Sequence, residues 1–259
     1  MIKTHYFATK VDSGAAAAAA GAGAIKRAIA QRGRANVVIA TGASQFEMLA
    51  ALTADPSIDW SRVTAFHLDE YVGIASTAKA SFRRYLRERF TEKLADLGAF
   101  HFIEGDAENV QSELDRLNVL LDQHPIDVTF AGIGENGYLA FNDPPADFDS
   151  TVGYHRVILD EACRVQQVRE GWFRDLASVP TEAISITVQR IMSSGMLVVT
   201  VSDERKADAV KNVLEGPVSN LCPASILQRH GACHLFLDQA AASRLAARPG
   251  SDLASLKAS

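Results

Sequence analysis

The stretch NVVIATGAS, residues 36–44, joins a short apolar run to a glycine-bearing turn. Four of its first five residues are apolar, which is typical of a strand buried on both faces of a parallel sheet. The next residues, FEMLAALT at 46–53, show helical spacing. A strand, a tight turn and a helix in this order predict one unit of an α/β fold.

The same alternation runs along the rest of the chain. Upstream, SGAAAAAAGAGAIKRAIAQRG predicts a packed helix that begins with Ser13 as its N-cap and stops at Gly33, and whose small residues let it lie close to a neighbour. Downstream, strands are predicted at 62–68, 99–103, 126–133, 196–201 and 233–238, and helices at 81–94, 108–121 and 204–216. We therefore expect a doubly wound, mostly parallel central sheet with helices on both faces, which is a Rossmann-like arrangement. No linker divides the chain, so residues 1–259 are predicted to form one domain.

Composition narrows the possible partners and the location. A formal net charge of −5 disfavours nucleic acid or an anionic membrane as a partner. No apolar run approaches the roughly 20 residues of a membrane span, and the first ten residues lack an apolar signal segment. Cys163, Cys222 and Cys233 form no C-x-x-C pair and are expected to be free buried thiols. The expected location is the cytoplasm.

Three polar segments follow predicted strands, where open parallel sheets bind their ligands. In the first, Thr41, Gly42, Ala43 and Ser44 open a helix, and the free N–H groups of such a turn suit a phosphate. Glycine and serine also serve as simple helix caps at such turns. The Gly-Lys-Ser/Thr of a P-loop does not follow.

The second and third segments carry carboxylates. Asp69 and Glu70 follow strand 62–68 and indicate either a solvated loop or a general base whose pKa is raised by burial. The third segment, GIGENGYLAFNDPP at 132–145, has three glycines in six residues, including Gly134, which allow the backbone to approach a ligand closely. It ends with Asp143 beside a rigid Pro-Pro corner. No acidic residue about 20 positions later ends a second strand, so a dinucleotide site is a poor match.

Together these segments resemble the glucosamine-6-phosphate deaminase branch of the deaminase/6-phosphogluconolactonase family. The matching stretches are ATGASQFEMLAAL, VTAFHLDEYVG, SFRRYLRERF, DVTFAGIGENGYLAFNDPP and SDERKADAVKNVLEG, in family order from about residue 38 to 216. Asp-Glu-Tyr at 69–71 is similar to the deaminase motif, whereas lactonases usually have Asp-Glu-Arg. Ala-Phe-Asn-Asp-Pro at 140–144 resembles the deaminase Ala-Phe-Asn-Glu-Pro.

The resemblance implies a role for each matching residue. Asp69 matches the carboxylate that carries a proton between sugar C2 and C1, and Lys206 matches a phosphate-binding lysine. Arg169 is the preferred phosphate arginine, with Arg164 as a rival because of an apparent insertion near 171–172. Without the resemblance, Lys206 and Arg169 would be interpreted as solvated helix charges. The catalytic candidates are Asp69, Glu70, Asn136, Tyr138 and Asp143, and the binding candidates are Thr41, Gly42, Ala43, Ser44, Gly134, Arg169 and Lys206.

One position departs from the family. Asn136-Gly137-Tyr138 stands where the family has Asn/Asp-Gly-His, so the ring-opening histidine is missing. Tyrosine titrates about 3.5 units above histidine and is a poorer base at pH 7, although Tyr138 can still donate a hydrogen bond to a ring oxygen. Asp143, which replaces a glutamate, is expected beside it at that oxygen.

The resulting prediction is an enzyme that isomerises and deaminates an aminosugar phosphate such as glucosamine 6-phosphate, with ring opening weakened or re-aimed. No cofactor or metal is expected, because the carbonyl of the opened sugar acidifies the C2 proton. The alternatives are a sugar-lactone hydrolase of the sister branch and a non-catalytic sugar-phosphate sensor. A small phosphorylated sugar is the expected partner, and a homo-oligomer is possible because the family is often oligomeric.

Overall fold

A computed structural model describes residues 1–246, and seven parallel strands form the central sheet. Their order across the sheet is β1-β10-β9-β6-β2-β3-β5. The strands are β1 (Lys3–Phe7), β2 (Ala35–Ile39), β3 (Val63–His67), β5 (Ala99–His101), β6 (Val128–Ala131), β9 (Met196–Val201) and β10 (Cys233–Asp238). Every neighbouring pair runs parallel, which confirms the expected sheet.

A second sheet of three antiparallel strands was not predicted. It consists of β4 (Asp69–Tyr71), β8 (Glu182–Ile186) and β7 (Tyr154–Ile158), in that order. The solvated-loop interpretation of residues 69–71 is wrong, because all three are buried. The edge strand β1 was also not predicted, since its sequence KTHYF alternates too weakly to stand out.

Seven helices with the following bounds surround the sheet over the described residues. They are α1 (Lys10–Arg32), α2 (Phe46–Thr53), α3 (Phe82–Arg89), α4 (Val110–Gln123), α5 (Glu161–Arg169), α6 (Val188–Met192) and α7 (Ala207–Glu215). Alternate residues of one strand face opposite helix layers. Val37 and Ile39 of β2 join the core that includes α1, α2 and α3, whereas Val38 joins the core that includes α4, α6 and α7. Helices therefore cover both faces, as expected.

Helix α1 shows how small residues set the spacing of layers. A Cβ on Gly14 would lie 2.6 Å from the Glu47 Cβ, and one on Gly21 would lie 2.3 Å from the Phe130 ring. These contacts confirm the predicted close packing. Gly33 ends the helix with φ 74°, also as predicted, but Ser13 is not the N-cap. Thr9 takes that place, and its side chain accepts a hydrogen bond from the Asp12 N–H.

The two ends of the described chain meet in the central sheet, where β1 pairs with β10. The single-domain interpretation stays a prediction, and its last residues, 247–259, lie outside the described residues. Among residues 1–246, no helix is long and apolar enough to cross a membrane. The three cysteines are free, but Cys222 is only half-buried, so the expectation of buried thiols is correct only for Cys163 and Cys233.

Candidate active site

A cleft opens where the parallel strands end. One side, here called the strand-end wall, is formed by residues that follow β2, β3, β6 and β9. These are residues 40–45, Leu68 and Asp69, residues 132–134, and Lys206. A second side, the α5 wall, is formed by Gln166, Gln167 and Glu170 at the end of α5. Tyr138, Ala140, Phe82 and Phe141 complete the lining.

The turn after β2, residues 41–44, is shaped for an anion and is here called the anion turn. Gly42 has φ 100°, a left-handed conformation that favours glycine. A 3₁₀ turn at Ala43–Gln45 then continues directly into α2, so the first N–H groups of this helical segment have no partner within it. The turn is held from outside: the Tyr85 hydroxyl donates to the Gly42 carbonyl over 2.9 Å, and the Ser202 N–H donates to the Ser44 hydroxyl over 3.2 Å.

Asp69 presents an unpaired carboxyl to the cleft. It is the first residue of β4 and is 5% exposed. Its carboxyl has no hydrogen-bond partner among residues 1–246. Burial, and secondarily the charge of Glu70, raise its pKa well above the ordinary value. A carboxylate with a raised pKa is a stronger proton acceptor, which suits a general base.

Glu70, which we predicted to be catalytic together with Asp69, points away from the cleft. Its carboxylate accepts hydrogen bonds from the backbone N–H groups of Tyr71, Phe82 and Arg83 and from the Ser81 hydroxyl, at 2.8–3.1 Å. Neighbouring residues of one strand face opposite sides, so only one of this pair can face a ligand. Glu70 thus holds the start of α3 against β4, and its assignment as a catalytic residue is corrected to a structural one.

Tyr138 lies in the cleft and its ring packs directly on Gly134. A Cβ added to Gly134 would lie 2.0 Å from that ring, so the glycine provides room for the aromatic side chain. The Tyr138 hydroxyl accepts a hydrogen bond from the Gln167 Nε2 over 3.5 Å. Burial raises the pKa of Tyr138 well above its ordinary value, so the phenol stays protonated and can donate a hydrogen bond.

Asn136 and Asp143 lie outside the lining of the cleft. The Asn136 Oδ1 accepts a hydrogen bond from the Tyr138 N–H over 3.0 Å, and its Nδ2 donates to Asp143 over 3.4 Å. Asp143 also accepts from the Asp160 N–H over 3.0 Å, and burial raises its pKa to about 6. In the structure these two residues brace the backbone behind the tyrosine, and the place of Asp143 at the ring oxygen stays a prediction.

Lys206 reaches the cleft, and the two arginine candidates do not. Its side chain is 10% exposed, so the solvated-charge interpretation is wrong for this lysine. Arg169 does not line the cleft: its side chain is 63% exposed and pairs with Glu135 over 3.4 Å. Arg164 donates to the carbonyls of Leu176 and Val179 and fastens the segment after α5. The structure brings neither arginine to the expected phosphate turn.

Several lining residues were missed by the sequence reasoning. The Gln45 Nε2 donates to the Ala131 carbonyl over 3.1 Å and so connects the turn after β2 to β6. Glu170 pairs with Lys206 over 3.3 Å, and Gln166 and Gln167 lie beside it. The polar run QQVRE at 166–170 contained the signal, since two glutamines there face inward with 3% exposure each. In sequence it is indistinguishable from a solvated helix face.

A cleft at the strand ends with a turn shaped for an anion and an unpaired buried carboxyl has the features of an enzyme site in an open α/β sheet. The family model for glucosamine-6-phosphate isomerases/6-phosphogluconolactonase matches residues 8–235, and the chain belongs to this family. No group of three metal-ligating side chains that could hold an ion occurs among residues 1–246.

Curated relatives and solved structures agree with this assignment. A glucosamine-6-phosphate deaminase of Listeria monocytogenes is 36% identical over 80% of this chain and 86% of its own length. One from Lactobacillus delbrueckii is 34% identical with the same coverage. A solved monomeric glucosamine-6-phosphate deaminase superposes with TM-score 0.83 at 29% identity, covering 93% of this chain and 99% of that one. A 6-phosphogluconolactonase from Shewanella baltica shares the fold, with TM-score 0.76 at 18% identity over 92% and 97%.

Proposed function

We propose that this chain isomerises and deaminates glucosamine 6-phosphate to give fructose 6-phosphate and ammonia. The observation that carries the proposal is the unpaired, buried Asp69 carboxyl, which shares one cleft with the anion turn and Lys206. The curated relatives named for this activity support the substrate.

The reaction begins on the opened sugar. Asp69 removes the C2 proton, and the electron pair shifts to give an enolamine, the amino counterpart of an enediol. The same carboxyl returns the proton to C1, which leaves an imine at C2. Water then adds to that imine carbon and ammonia leaves, so that a ketone remains. The phosphate rests against residues 41–44 and Lys206, and holds C2 near Asp69.

Ring opening depends on Tyr138 in this proposal. The phenol donates its proton in a hydrogen bond to the ring oxygen, while Gln167 fixes the position of the phenol oxygen. A histidine there would both give and take a proton near pH 7. We therefore expect a slower ring-opening step than in a relative that has the histidine. The prediction that ring opening is weakened, or directed to a different sugar phosphate, is unchanged.

The two alternatives from the sequence have less support. The solved lactonase from Shewanella baltica is 18% identical, whereas the curated deaminases are 34–36% identical. A sensor would have little use for a carboxyl that is buried without a partner beside an anion turn, because such a group costs stability.

The location and assembly are also proposed. Three free cysteines favour a reducing compartment, so we propose the cytoplasm. The possibility of a homo-oligomer stays a prediction.

Ammonia release from glucosamine 6-phosphate tests the function. Wild-type release, with Tyr138→His raising kcat roughly ten- to a hundredfold, is the expected result, since general acid–base groups contribute about 10²–10⁴-fold. Tyr138→Phe, which removes only the donor, should lower kcat. Absence of ammonia from wild type and from Tyr138→His would overturn the proposal. Equal kcat for wild type and Tyr138→His would overturn the role given to the tyrosine.

A further inference from the structure

The cleft contains one cation, and that cation already has a partner. Among its described lining residues, Lys206 is the only lysine or arginine. Its Nζ lies 3.3 Å from the Glu170 Oε1, and the Glu170 side chain is 5% exposed. A phosphate that approaches Lys206 therefore meets a buried carboxylate at the same place.

Glu170 is fixed from both sides. Its Oε1 accepts a hydrogen bond from the Gln166 Nε2 over 2.8 Å, and its Oε2 accepts one from the Trp172 Nε1 over 3.2 Å. Trp172 in turn packs against the rings of Phe46 and Tyr85. The carboxylate thus remains beside the ammonium when a ligand arrives.

A carboxylate oxygen is only an acceptor, so it repels a fully ionised phosphate and binds one that carries a proton. Phosphate monoesters lose their second proton near pH 6, and therefore offer such a donor near neutrality. A sulfate ester has the same shape but no proton at this pH. The two anions differ at the atom that would face Glu170.

We propose that Glu170 is a ligand-binding residue that accepts a hydrogen bond from the proton of a phosphate monoanion and excludes sulfate esters. The proposal rests on the proposed function, because it takes the phosphoryl group to lie at Lys206. It makes this position the specificity determinant of the anion site.

Between about pH 5 and 8, the proton on the ligand phosphate is the one that we expect to be gained or lost near Glu170. Those that face it are Lys206, Arg205, Tyr71, Tyr85 and Tyr138. Burial raises the pKa of each tyrosine, so all three stay neutral between about pH 5 and 8. The hydrogen bond from Arg205 to Asp203 raises the pKa of the guanidinium, which stays charged.

Calorimetric titration with two inert open-chain ligands, sorbitol 6-phosphate and sorbitol 6-sulfate, tests the proposal at about pH 6 and constant ionic strength. Wild type should bind the phosphate at least about tenfold more tightly, since a hydrogen bond to a charged group is worth that much. Glu170→Gln should reduce the preference to about threefold or less by tightening the sulfate, because the amide can donate. Glu161→Gln, the same change at an exposed position of α5, should keep the wild-type preference.

The pH dependence of wild type gives a second measurement that needs no variant. Affinity for the phosphate should fall about ninefold from pH 7 to 8, as the monoanion disappears. Equal binding of both ligands by wild type, or a preference that survives in Glu170→Gln, would overturn the proposal. If neither ligand binds, the anion site fails and this inference with it. If wild type prefers the phosphate and Glu170→Gln loses that preference, but wild type releases no ammonia, the inference stands and the proposed function is overturned.

Discussion

The strand-end wall and the α5 wall line the same cleft, but the sequence predicted residues of only one of them. The strand-end wall contains Asp69, Lys206 and the turn at 41–44, all of which we predicted. The α5 wall contains Gln166, Gln167 and Glu170, none of which we predicted. The carboxyl ends of parallel strands always lie at the same edge of the sheet. Helix α5, by contrast, reaches the cleft only through its packing on more distant parts of the chain. The residues of the first wall were therefore easier to infer, and the ligand selectivity that we propose depends on Glu170 in the second.

The sharpest test of the strand-end wall is Asp69→Asn. Loss of the group that takes and returns the C2 proton should lower kcat for ammonia release about 10³- to 10⁴-fold. The asparagine keeps the shape of the side chain, so the melting temperature should stay within a few degrees of wild type. Asp115→Asn, on the exposed face of α4, is the control for the loss of one charge. A variant with more than about a tenth of wild-type kcat would remove Asp69 from the mechanism.

Glu70, the neighbour behind this wall, should show the opposite profile. Glu70→Ala removes the acceptor of four hydrogen bonds and leaves Arg83 buried at 2% exposure without that carboxylate. Urea denaturation should show a loss of about 3–5 kcal/mol in the free energy of unfolding. Glu104→Ala, which removes an exposed partner of Arg83, should cost less than about 1 kcal/mol. Similar losses in both variants would contradict the structural role of Glu70.

Variants of Lys206 and Arg169 test which of these two cations binds the phosphate. Lys206→Gln should raise KM roughly ten- to a hundredfold, since the removed ammonium is the one in the cleft. Arg169→Gln should change KM less than about threefold, because this side chain is largely exposed. Steady-state kinetics of both variants gives the answer. A larger effect at Arg169 would mean that the α5 wall rearranges around the substrate.

Gly134→Ala tests how closely Tyr138 is held. The added Cβ would overlap the Tyr138 ring, so the ring must move, at a cost of about 1–3 kcal/mol in stability. Thermal denaturation and kcat should both fall. Gly23→Ala, where an added Cβ would meet the Arg27 Nη1 at an ordinary contact distance of 3.4 Å, should be neutral or slightly stabilising. If Gly134→Ala behaves like Gly23→Ala, the tyrosine has room that the structure does not show.

The smallest expected effect is a pH dependence due to Asp143. Burial raises its folded-state pKa to about 6 from an ordinary 3.8, so its neutral form favours folding. This contribution is fully present below about pH 4 and is lost as the pH rises through about 6. Relative to Asp143→Asn, wild type should therefore lose about 1–2 kcal/mol of stability between pH 4 and 7. Parallel stability curves for the two proteins would contradict the shift.

The sequence predicted six of the seven strands of the central sheet, five of the seven helices among the described residues, and the residues that follow those strands. Apolar runs, turn residues and helix periodicity are local signals. Once the strands are known to be parallel, the residues that follow them are expected at one edge of the sheet. For the same reason Asp69 and residues 41–44 could be named from the sequence pattern, whereas Lys206 was named only through the family resemblance. The family likeness added roles to these positions.

Tertiary contacts alone determine which of two neighbouring polar residues faces the cleft. Asp69 lines the cleft and Glu70 holds a helix, although both are acids in one short segment. Glu170 is buried and Arg169 is exposed for a similar reason, since adjacent residues of a helix point in different directions. Burial and pairing depend on contacts between residues far apart in the chain, and these contacts leave no local pattern in the sequence.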